Sequence, residues 1–199
     1  MSLKMTNRQL HAQETKDSIY RAAIKLFKSK GFEKVFIEDI TKEAQTAKGT
    51  FYVHFKSKKD LLFHTFNKFD EIYMEAYENV KQILTFEERF LAFIEISYEG
   101  IDARGKEIPK ALYSSSIFEG NPRLINDDRA LFRIILELVQ FGIDTGELGV
   151  NETAEYYRDM IKTQITGMDY LWCVAEGDID FSVYARESMR VYLRGLKNI

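Results

Sequence analysis

Apolar residues recur at intervals of three and four through almost the whole chain, and this spacing constrains the fold more than any other feature. The first clear example follows Thr15, where one helical face collects the apolar residues Ile19, Ala22, Ala23, Leu26 and Phe27. No stretch shows a sustained apolar–polar alternation bounded by hairpin turn residues. We therefore predict an all-α protein.

Turn residues interrupt this helical pattern and divide it into nine predicted helices. Thr15 is a good N-cap for the first helix and Gly31 a good terminator, while Ser57 and Asp60 form a capping pattern that opens a long helix. Breaks are expected between the helices, including one at 176–178. The predicted ranges are 15–30, 37–44, 48–55, 57–80, 87–103, 107–118, 122–145, 152–175 and 180–196.

Composition narrows the class of protein further. Hydrophobic residues make up 45% and charged residues 30%, with only 2 prolines and 11 glycines among 199 residues, which excludes a collagen-like or wholly disordered chain. The single cysteine, Cys173, excludes an intrachain disulfide and a multi-thiolate zinc site. No apolar run reaches the roughly 20 residues of a membrane span, and the first residues lack the apolar core of a signal peptide. We predict a cytoplasmic protein with no membrane partner.

The formal net charge of −3 conceals two oppositely charged parts. Residues 1–60 contain 13 Lys and Arg against 7 Asp and Glu, whereas residues 61–199 contain 15 against 24. A basic N-terminal part beside an acidic body is typical of a nucleic-acid-binding protein with a separate second domain. Exposed lysines that serve only solubility remain an alternative at this point.

Two short helical segments in the basic part are joined by only three residues, Gln45-Thr46-Ala47. Such a pair is the pattern of a helix-turn-helix, whose second helix enters the major groove of DNA. That helix must keep an apolar inner face, for which we assign Phe51 and Phe55, and an outer face of small, hydroxyl and basic groups. Gly49 would allow close approach to the sugar-phosphate backbone.

Several stretches carry a more specific resemblance: Ile24-Lys25-Leu26-Phe27, Lys30-Gly31-Phe32, Ile37-Glu38-Asp39-Ile40, and above all Lys48-Gly49-Thr50-Phe51-Tyr52-Val53-His54-Phe55-Lys56-Ser57-Lys58-Lys59-Asp60-Leu61-Leu62. The region from Thr15 to Leu62 resembles the DNA-binding head of the TetR family of bacterial transcriptional regulators. The resemblance implies that DNA is contacted by Lys48, Thr50, Tyr52, Lys56 and Lys58.

Four other residues on or beside the same face are added as candidate DNA contacts: Gln45, Thr46, Gly49 and His54. For His54, contact with protein instead of phosphate remains an alternative.

Three positions depart from the usual pattern of that family. Phe36 stands where a hydroxyl residue commonly caps the second helix, Gln45 where the turn commonly has Gly, and Ala47 where a Ser commonly caps the third helix. We expect Gln45 to adopt a strained left-handed conformation or the helix end to shift, and Thr46 to act as the cap in place of Ala47.

The resemblance also implies an organisation for the whole chain: a helix-turn-helix DNA-binding domain at 1–56 and a helical ligand-binding and dimerisation domain at 57–199. Candidate ligand contacts, chosen by helix face, are Phe93, Ser97, Tyr113, Ile117, Gln140, Tyr157, Ile161 and Gln164. Candidate dimer contacts on the last two helices are Met168, Leu171, Trp172, Ala175, Tyr184, Ser188, Val191 and Tyr192.

We accordingly expect a homodimeric transcriptional regulator, a repressor released from a palindromic double-stranded operator by a small-molecule effector of unspecified identity. A constitutive DNA-binding protein without a ligand pocket is the first alternative, and a small-molecule enzyme on a helical scaffold is the second. No catalytic motif is present, and the three histidines lack metal-ligand spacing. We therefore predict no catalytic residues, no metal and no cofactor.

Overall fold

The computed structural model describes residues 6–175 and 179–197. Within these residues it contains nine α-helices, one short 3-10 helix and no β-strand, which confirms the predicted fold class and number of α-helices. The break expected at 176–178 lies outside the described residues. The helices are α1 (Asn7–Lys30), α2 (Ile37–Glu43), α3 (Lys48–His54), α4 (Lys58–Val80), α5 (Phe86–Asp102), α6 (Glu107–Glu119), α7 (Ala130–Asp144), α8 (Ala154–Val174) and α9 (Phe181–Leu196), and the 3-10 helix is Pro122–Ile125.

Helix α1 begins two turns earlier than the apolar pattern indicated. Its N-cap is Thr6, whose side chain accepts a hydrogen bond from the backbone N–H of Gln9, while the Gln9 side chain accepts one from the backbone N–H of Thr6. This reciprocal pair satisfies two backbone donors that would otherwise lack partners at a helix start. The prediction that Thr15 is the N-cap was therefore wrong, and its hydroxyl instead donates to the carbonyl oxygen of His11 within the helix.

The single helix predicted at 122–145 is divided in two. The 3-10 helix Pro122–Ile125 comes first, and α7 starts only at Ala130. The polar residues between them form local turns, because the side chain of Asn126 accepts a hydrogen bond from the backbone N–H of Asp128. Side chains that bond to nearby backbone in this way compete with helix formation.

The chain folds into two compact units, Met1–Thr65 and Phe66–Ile199, and the division between them falls within α4. The start of α4 follows the predicted capping pattern: Ser57 Oγ accepts from the backbone N–H of Asp60, and the Asp60 carboxylate accepts from the backbone N–H of Lys56. The core of unit 1 consists of the buried residues Ile19, Ala23, Leu26, Phe27, Val35, Ile40, Phe51, Phe55, Leu61 and Leu62.

Unit 2 is built around a second apolar core. Helix α5 packs along α9, α7 packs along α8, and α6 also packs on α8. Aromatic rings fill much of the interior, and the Trp172 ring stacks on that of Phe181 with their centroids 4.2 Å apart. No helix within the described residues is long and apolar enough to cross a membrane.

Candidate nucleic-acid interface and internal cavity

The turn between α2 and α3 is held in one conformation by backbone hydrogen bonds. Gln45 has a φ of 52°, and among the described residues it is the one non-glycine residue with a positive φ. The N–H groups of Gln45 and Thr46 donate to the carbonyl oxygens of Lys42 and Thr41 at 3.2 and 2.9 Å. Of the two outcomes expected at Gln45, the left-handed conformation is the one observed, and its strain is offset by a closed turn.

The cap of α3 differs from the expectation. The N-cap is Ala47, which offers no side-chain hydrogen bond, so the prediction that Thr46 replaces the missing hydroxyl cap was wrong. The carbonyl oxygen of Ala47 accepts from the N–H groups of Thr50 and Phe51. The first N–H groups of α3 therefore receive no hydrogen bond from the side chain of the N-cap residue.

The two faces of α3 are sharply different. Phe51 and Phe55 are buried in the core of unit 1, with 0% and 2% of their surfaces exposed. Tyr52 is 50% exposed and meets the Phe51 ring edge-on at 5.5 Å, and Val53 is also exposed. This confirms the predicted orientation of the helix, with the phenylalanines inside and the tyrosine outside.

Lys48 begins α3 and lies at the protein surface. Its ammonium forms an exposed ion pair with the carboxylate of Glu38 in α2. The hydrogen bond between them raises the pKa of Lys48 and lowers the pKa of Glu38. Because both side chains are exposed, the pair contributes little to stability, and the ammonium is available to another anion.

Gly49 follows Lys48 on the exposed side of α3. Apart from its two neighbours and the backbone of its own helix, a Cβ atom added at this position would have no atom of the chain within 4 Å. The fold of the isolated chain therefore does not require glycine here.

The remaining candidate DNA contacts lie around the same helix. Gln45 and Lys56 are exposed, while Thr46, Thr50 and His54 are partly buried. Their roles at DNA stay predictions.

Lys58 has a role inside unit 1 that the sequence did not indicate. Its ammonium donates to the carbonyl oxygens of Phe32 and Val35 at 2.7 and 3.0 Å, and it lies 4.3 Å from the centroid of the Phe32 ring. Burial lowers the pKa of Lys58. This lysine therefore fastens the start of α4 to the loop that follows α1.

Unit 2 contains a small, largely enclosed cavity of about 30 Å³, room for about one water molecule. One carboxylate, Asp169 of α8, and one guanidinium, Arg129 before α7, lie on its wall. The other lining residues are mostly aromatic and aliphatic: Phe69, Tyr73, Tyr98, Ile101, Pro109, Leu112, Tyr113, Leu124, Leu131, Phe132, Ile165, Thr166 and Trp172.

Asp169 is held by two tyrosines from different helices. The hydroxyl of Tyr98 donates to Oδ1 at 2.7 Å and the hydroxyl of Tyr113 donates to Oδ2 at 3.1 Å. Burial raises the pKa of Asp169 to about 6, although the two hydrogen bonds and the positive charge of Arg129 act in the opposite direction. Burial also raises the pKa values of both tyrosines, so both phenols remain neutral donors.

Arg129 is already paired on another side of the cavity wall. Its Nη2 lies 3.0 Å from Oδ1 of Asp70 in α4, and only 10% of its side chain is exposed. Its guanidinium also lies over the rings of Phe66 and Tyr73, with centroid distances of 4.9 and 6.0 Å. The Nε atom is buried and has no hydrogen-bond partner in the described structure.

A more open groove of about 490 Å³ adjoins the cavity, and its wall is almost wholly apolar. It is formed by α6, the 3-10 helix and α8. Tyr113, Leu124 and Thr166 border both spaces. The volume is within the range of about 300–1,000 Å³ that is usual for small-molecule sites.

Comparison with known proteins agrees with this arrangement. Residues 19–65, which include the helix-turn-helix, match the sequence model described as "Bacterial regulatory proteins, tetR family". This part of the chain is a helix-turn-helix domain of the TetR family. An HTH-type transcriptional regulator of Staphylococcus aureus strain USA300 is 24% identical over 184 residues, covering 92% of this chain and 94% of that protein.

Two further matches differ in how much of the chain they cover. YerO, an uncharacterised HTH-type transcriptional regulator of Bacillus subtilis strain 168, is 37% identical over 71 residues, covering 36% of this chain but only 25% of YerO. The crystal structure of Thermus thermophilus FadR, a TetR-family repressor in complex with lauroyl-CoA, superposes with a TM-score of 0.67 at 20% identity, covering 91% of this chain and 94% of that one.

Only two of the eight predicted ligand contacts line the cavity or the groove. Tyr113 borders both spaces and Ile117 borders the groove. The other six lie outside these two spaces, because helix crossing angles decide which side chains meet. Phe93, Ser97, Tyr157 and Ile161 are buried elsewhere in the core, Gln140 bonds Asp144 on the surface, and Gln164 bonds Ser188.

The predicted dimer contacts also divide into two groups. Met168 and Trp172 are only 2% and 6% exposed in the single chain, so these two assignments are corrected: both residues belong to the core of unit 2. Leu171, Tyr184 and Val191 are exposed. The partly buried members are Ala175, Ser188 and Tyr192, and the Tyr192 hydroxyl donates to the carbonyl oxygen of Met160.

Sequence reasoning missed the charged centre of the cavity. Asp169 interrupts the apolar stripe of α8, four residues after Ile165 and three before Trp172. An acidic residue at a core position of a helix is a readable signal of a buried polar site. In the part of the chain that the structure describes, no cluster of three or more His, Cys, Asp or Glu side chains is placed to hold a metal ion.

Proposed function

We propose that this TetR-family regulator binds double-stranded DNA through α3 and acts as a repressor that an effector bound in unit 2 releases from its operator. The observation that carries the DNA-binding proposal is the separation of faces on α3. Because Phe51 and Phe55 fix the helix from within, Tyr52 and Lys48 are held outward on a rigid element. A recognition helix requires that arrangement.

The proposed DNA contacts follow from position and chemistry. Lys48 and Lys56 supply charge for phosphates, and Tyr52 and Thr50 supply hydroxyl groups. Gly49 allows the sugar-phosphate backbone to approach, which explains a glycine that the isolated fold does not need. Gln45, Thr46 and His54 are further candidates, whereas the internal bonds of Lys58 favour a structural role for that lysine.

We propose a homodimer formed by α8 and α9. These two helices contact each other, and together they expose several large apolar side chains. An apolar patch of this kind is unfavourable in water and is typical of a protein–protein interface. The exposed apolar residues are Leu171, Val174, Val183, Tyr184 and Val191. A dimer presents two recognition helices to a palindrome, and this supplies the base contacts that one short helix lacks.

The cavity and groove of unit 2 support an effector site. Their combination of apolar walls and a few converging polar groups is what small-molecule sites usually show. Thermus thermophilus FadR, a protein of the same fold, was crystallised with lauroyl-CoA, which supports ligand binding by a body of this architecture. Effector and DNA then favour different conformations, and a coupling of about 1–3 kcal/mol is typical of such regulators.

The test is selection of DNA by the purified full chain, followed by titration of the selected duplex at several salt concentrations. Lys48 and Lys56 from each of two subunits neutralise about four phosphates, which predicts a log–log salt slope of about −4 or steeper. Failure to enrich any duplex, or a slope near zero, overturns the DNA-binding proposal.

A further inference from the structure

The charges around the cavity of unit 2 do not balance. Asp70 and Asp169 are two carboxylates, and Arg129, which already pairs with Asp70, is the one guanidinium on the cavity wall. The hydrogen bonds to Asp169 come from neutral phenols and bring no positive charge. When Asp169 is ionised, it therefore shares the one guanidinium of the described cavity wall with Asp70, and its buried charge is only partly compensated, which is costly in an interior of low polarity.

Two kinds of cation can remove this excess charge, a proton or a ligand. Among the described residues, Asp169 interacts electrostatically with Tyr73 of α4, Tyr98 of α5, Tyr113 of α6, Arg129 before α7 and Cys173 of α8. Asp70 of α4 interacts with Arg129 and Tyr73. Burial raises the pKa of Cys173 to about 12, so this thiol stays neutral. Among the described residues that line the cavity, Arg129 is thus the one cation near Asp169, and Asp70 already shares its charge.

The size of the cavity restricts the shape of the cation. About 30 Å³ accommodates a group the size of one water molecule, which suits a primary ammonium and excludes a trimethylammonium head. The aromatic rings on the cavity wall, such as Tyr73 and Trp172, favour a cation over an anion. The neighbouring groove is apolar and offers space for a hydrocarbon body.

From these observations we infer that unit 2 binds an amphipathic primary amine, with its ammonium at Asp169 and its hydrocarbon part in the groove between α6, the 3-10 helix and α8. This inference rests on the proposed effector site and specifies the chemistry of its ligand. Tyr113 borders both spaces and makes the longer of the two bonds to Asp169. The arriving ammonium replaces the Tyr113 hydroxyl as a donor to Oδ2.

The single tryptophan of the chain gives a direct readout, because Trp172 lines the cavity. We would titrate the full chain with dodecylamine below its micelle concentration and follow the fluorescence of Trp172. The matched probes are dodecanol, dodecanoate and dodecyltrimethylammonium, which keep the chain length and change the charge or size of the head. Dodecylamine is expected to bind saturably and more tightly than all three.

Protonation of Asp169 competes with the ammonium, so affinity for dodecylamine should fall about tenfold between pH 8 and pH 5, given a pKa of about 6. Asp169→Asn should abolish both the preference for the amine over dodecanol and this pH dependence. Asn resembles the protonated carboxyl in shape, and thermal unfolding checks that the variant is folded. The pH titration of the unaltered chain tests the inference without any variant.

Equal binding of dodecanol, tighter binding of dodecanoate, or an amine preference that survives Asp169→Asn would each overturn the inference. The measurement contains no DNA, so its outcome is separate from the proposed function. Amine binding that leaves operator affinity unchanged supports the ligand assignment and contradicts release of the operator by this ligand class. If a different molecule releases the operator and the amine does not bind, the proposed function is supported and the ligand assignment is overturned.

Discussion

Lys48 and Glu38 form an ion pair on the outer surface of the helix-turn-helix, with Nζ of the lysine 2.5 Å from Oε1 of the glutamate. The carboxylate therefore already pairs with the ammonium that is proposed to contact a phosphate. The pair is exposed, so breaking it costs the fold little. In the proposed complex with DNA, Glu38 would compete with phosphate for Lys48 and repel the duplex.

Glu38→Gln should therefore strengthen binding to the selected duplex severalfold at low salt. The gain should shrink as salt increases, since screening weakens both the competition and the repulsion. Fluorescence anisotropy with a labelled duplex measures it. Glu43→Gln is the matched control, because it removes the same charge from the Lys25 pair in the same unit. Equal gains in both variants would mean that Lys48 has no special position at DNA.

Lys58→Met should destabilise unit 1 by about 1–3 kcal/mol, because the carbonyl oxygens of Phe32 and Val35 lose their charged donor while the aliphatic stem remains. Urea unfolding monitored by circular dichroism measures the change, and hydrogen exchange localises it to the loop after α1. Lys56→Met, at an exposed site, should change stability by no more than about 0.5 kcal/mol. If the two variants unfold identically, Lys58 does not stabilise unit 1 through its bonds to Phe32 and Val35.

The buried carboxyl of Asp169 should make unit 2 less stable as pH rises. Its pKa of about 6 in the folded chain exceeds the value of about 3.9 for an unfolded aspartate, so the folded state holds the proton more tightly. Its contribution to stability is therefore fully present below about pH 4 and is lost as pH rises through 6. The expected loss between pH 4 and pH 7 is about 2 kcal/mol.

Asp169→Asn isolates this contribution, because the carboxylates with lowered pKa values, such as Asp127 and Glu87, are common to both proteins. The free energy of unfolding of the variant, relative to the original chain, should rise by about 2 kcal/mol over the same pH interval. A constant difference across that interval would show that Asp169 has an ordinary pKa in the folded chain.

Val191→Glu should convert the proposed dimer into monomers, because it places a charge on the exposed apolar face of α9. Sedimentation velocity measures the mass directly. Val150→Glu is the control, since Val150 is comparably exposed but lies between α7 and α8. If the Val191 variant remains a dimer, the interface does not include this face of α9.

The sequence predicted those features that depend on local pattern. The apolar spacing located nine helices, because that spacing depends on neighbours in the chain. The left-handed conformation of Gln45 was one of two expectations, and it came from the family resemblance, in which the turn commonly has Gly. The sequence also contains a signal for the early start of α1, because Thr6 and Gln9 have the spacing of a capping box. The residues between Gln9 and Thr15 carry no apolar stripe, so the hydrophobic pattern did not indicate a helix there. Local capping chemistry outweighed hydrophobic periodicity there.

The features that depend on how helices cross were not predictable from one sequence. Trp172 belongs to an apolar stripe that suits either the core or a partner, and only its stacking on Phe181 decides between them. Similarly, Tyr98 and Tyr113 are distant in sequence from Asp169, and nothing in their spacing indicates that they converge on it.

The most direct test of the account is the affinity of Tyr52→Ala for the selected duplex, compared with Tyr156→Ala, which removes a partly exposed tyrosine from unit 2. We predict that Tyr52→Ala weakens binding by about 1–3 kcal/mol with folding and dimer mass unchanged, whereas Tyr156→Ala binds like the original chain. Equal affinity of the Tyr52 variant and the original chain would contradict the claim that the outer face of α3 reads DNA.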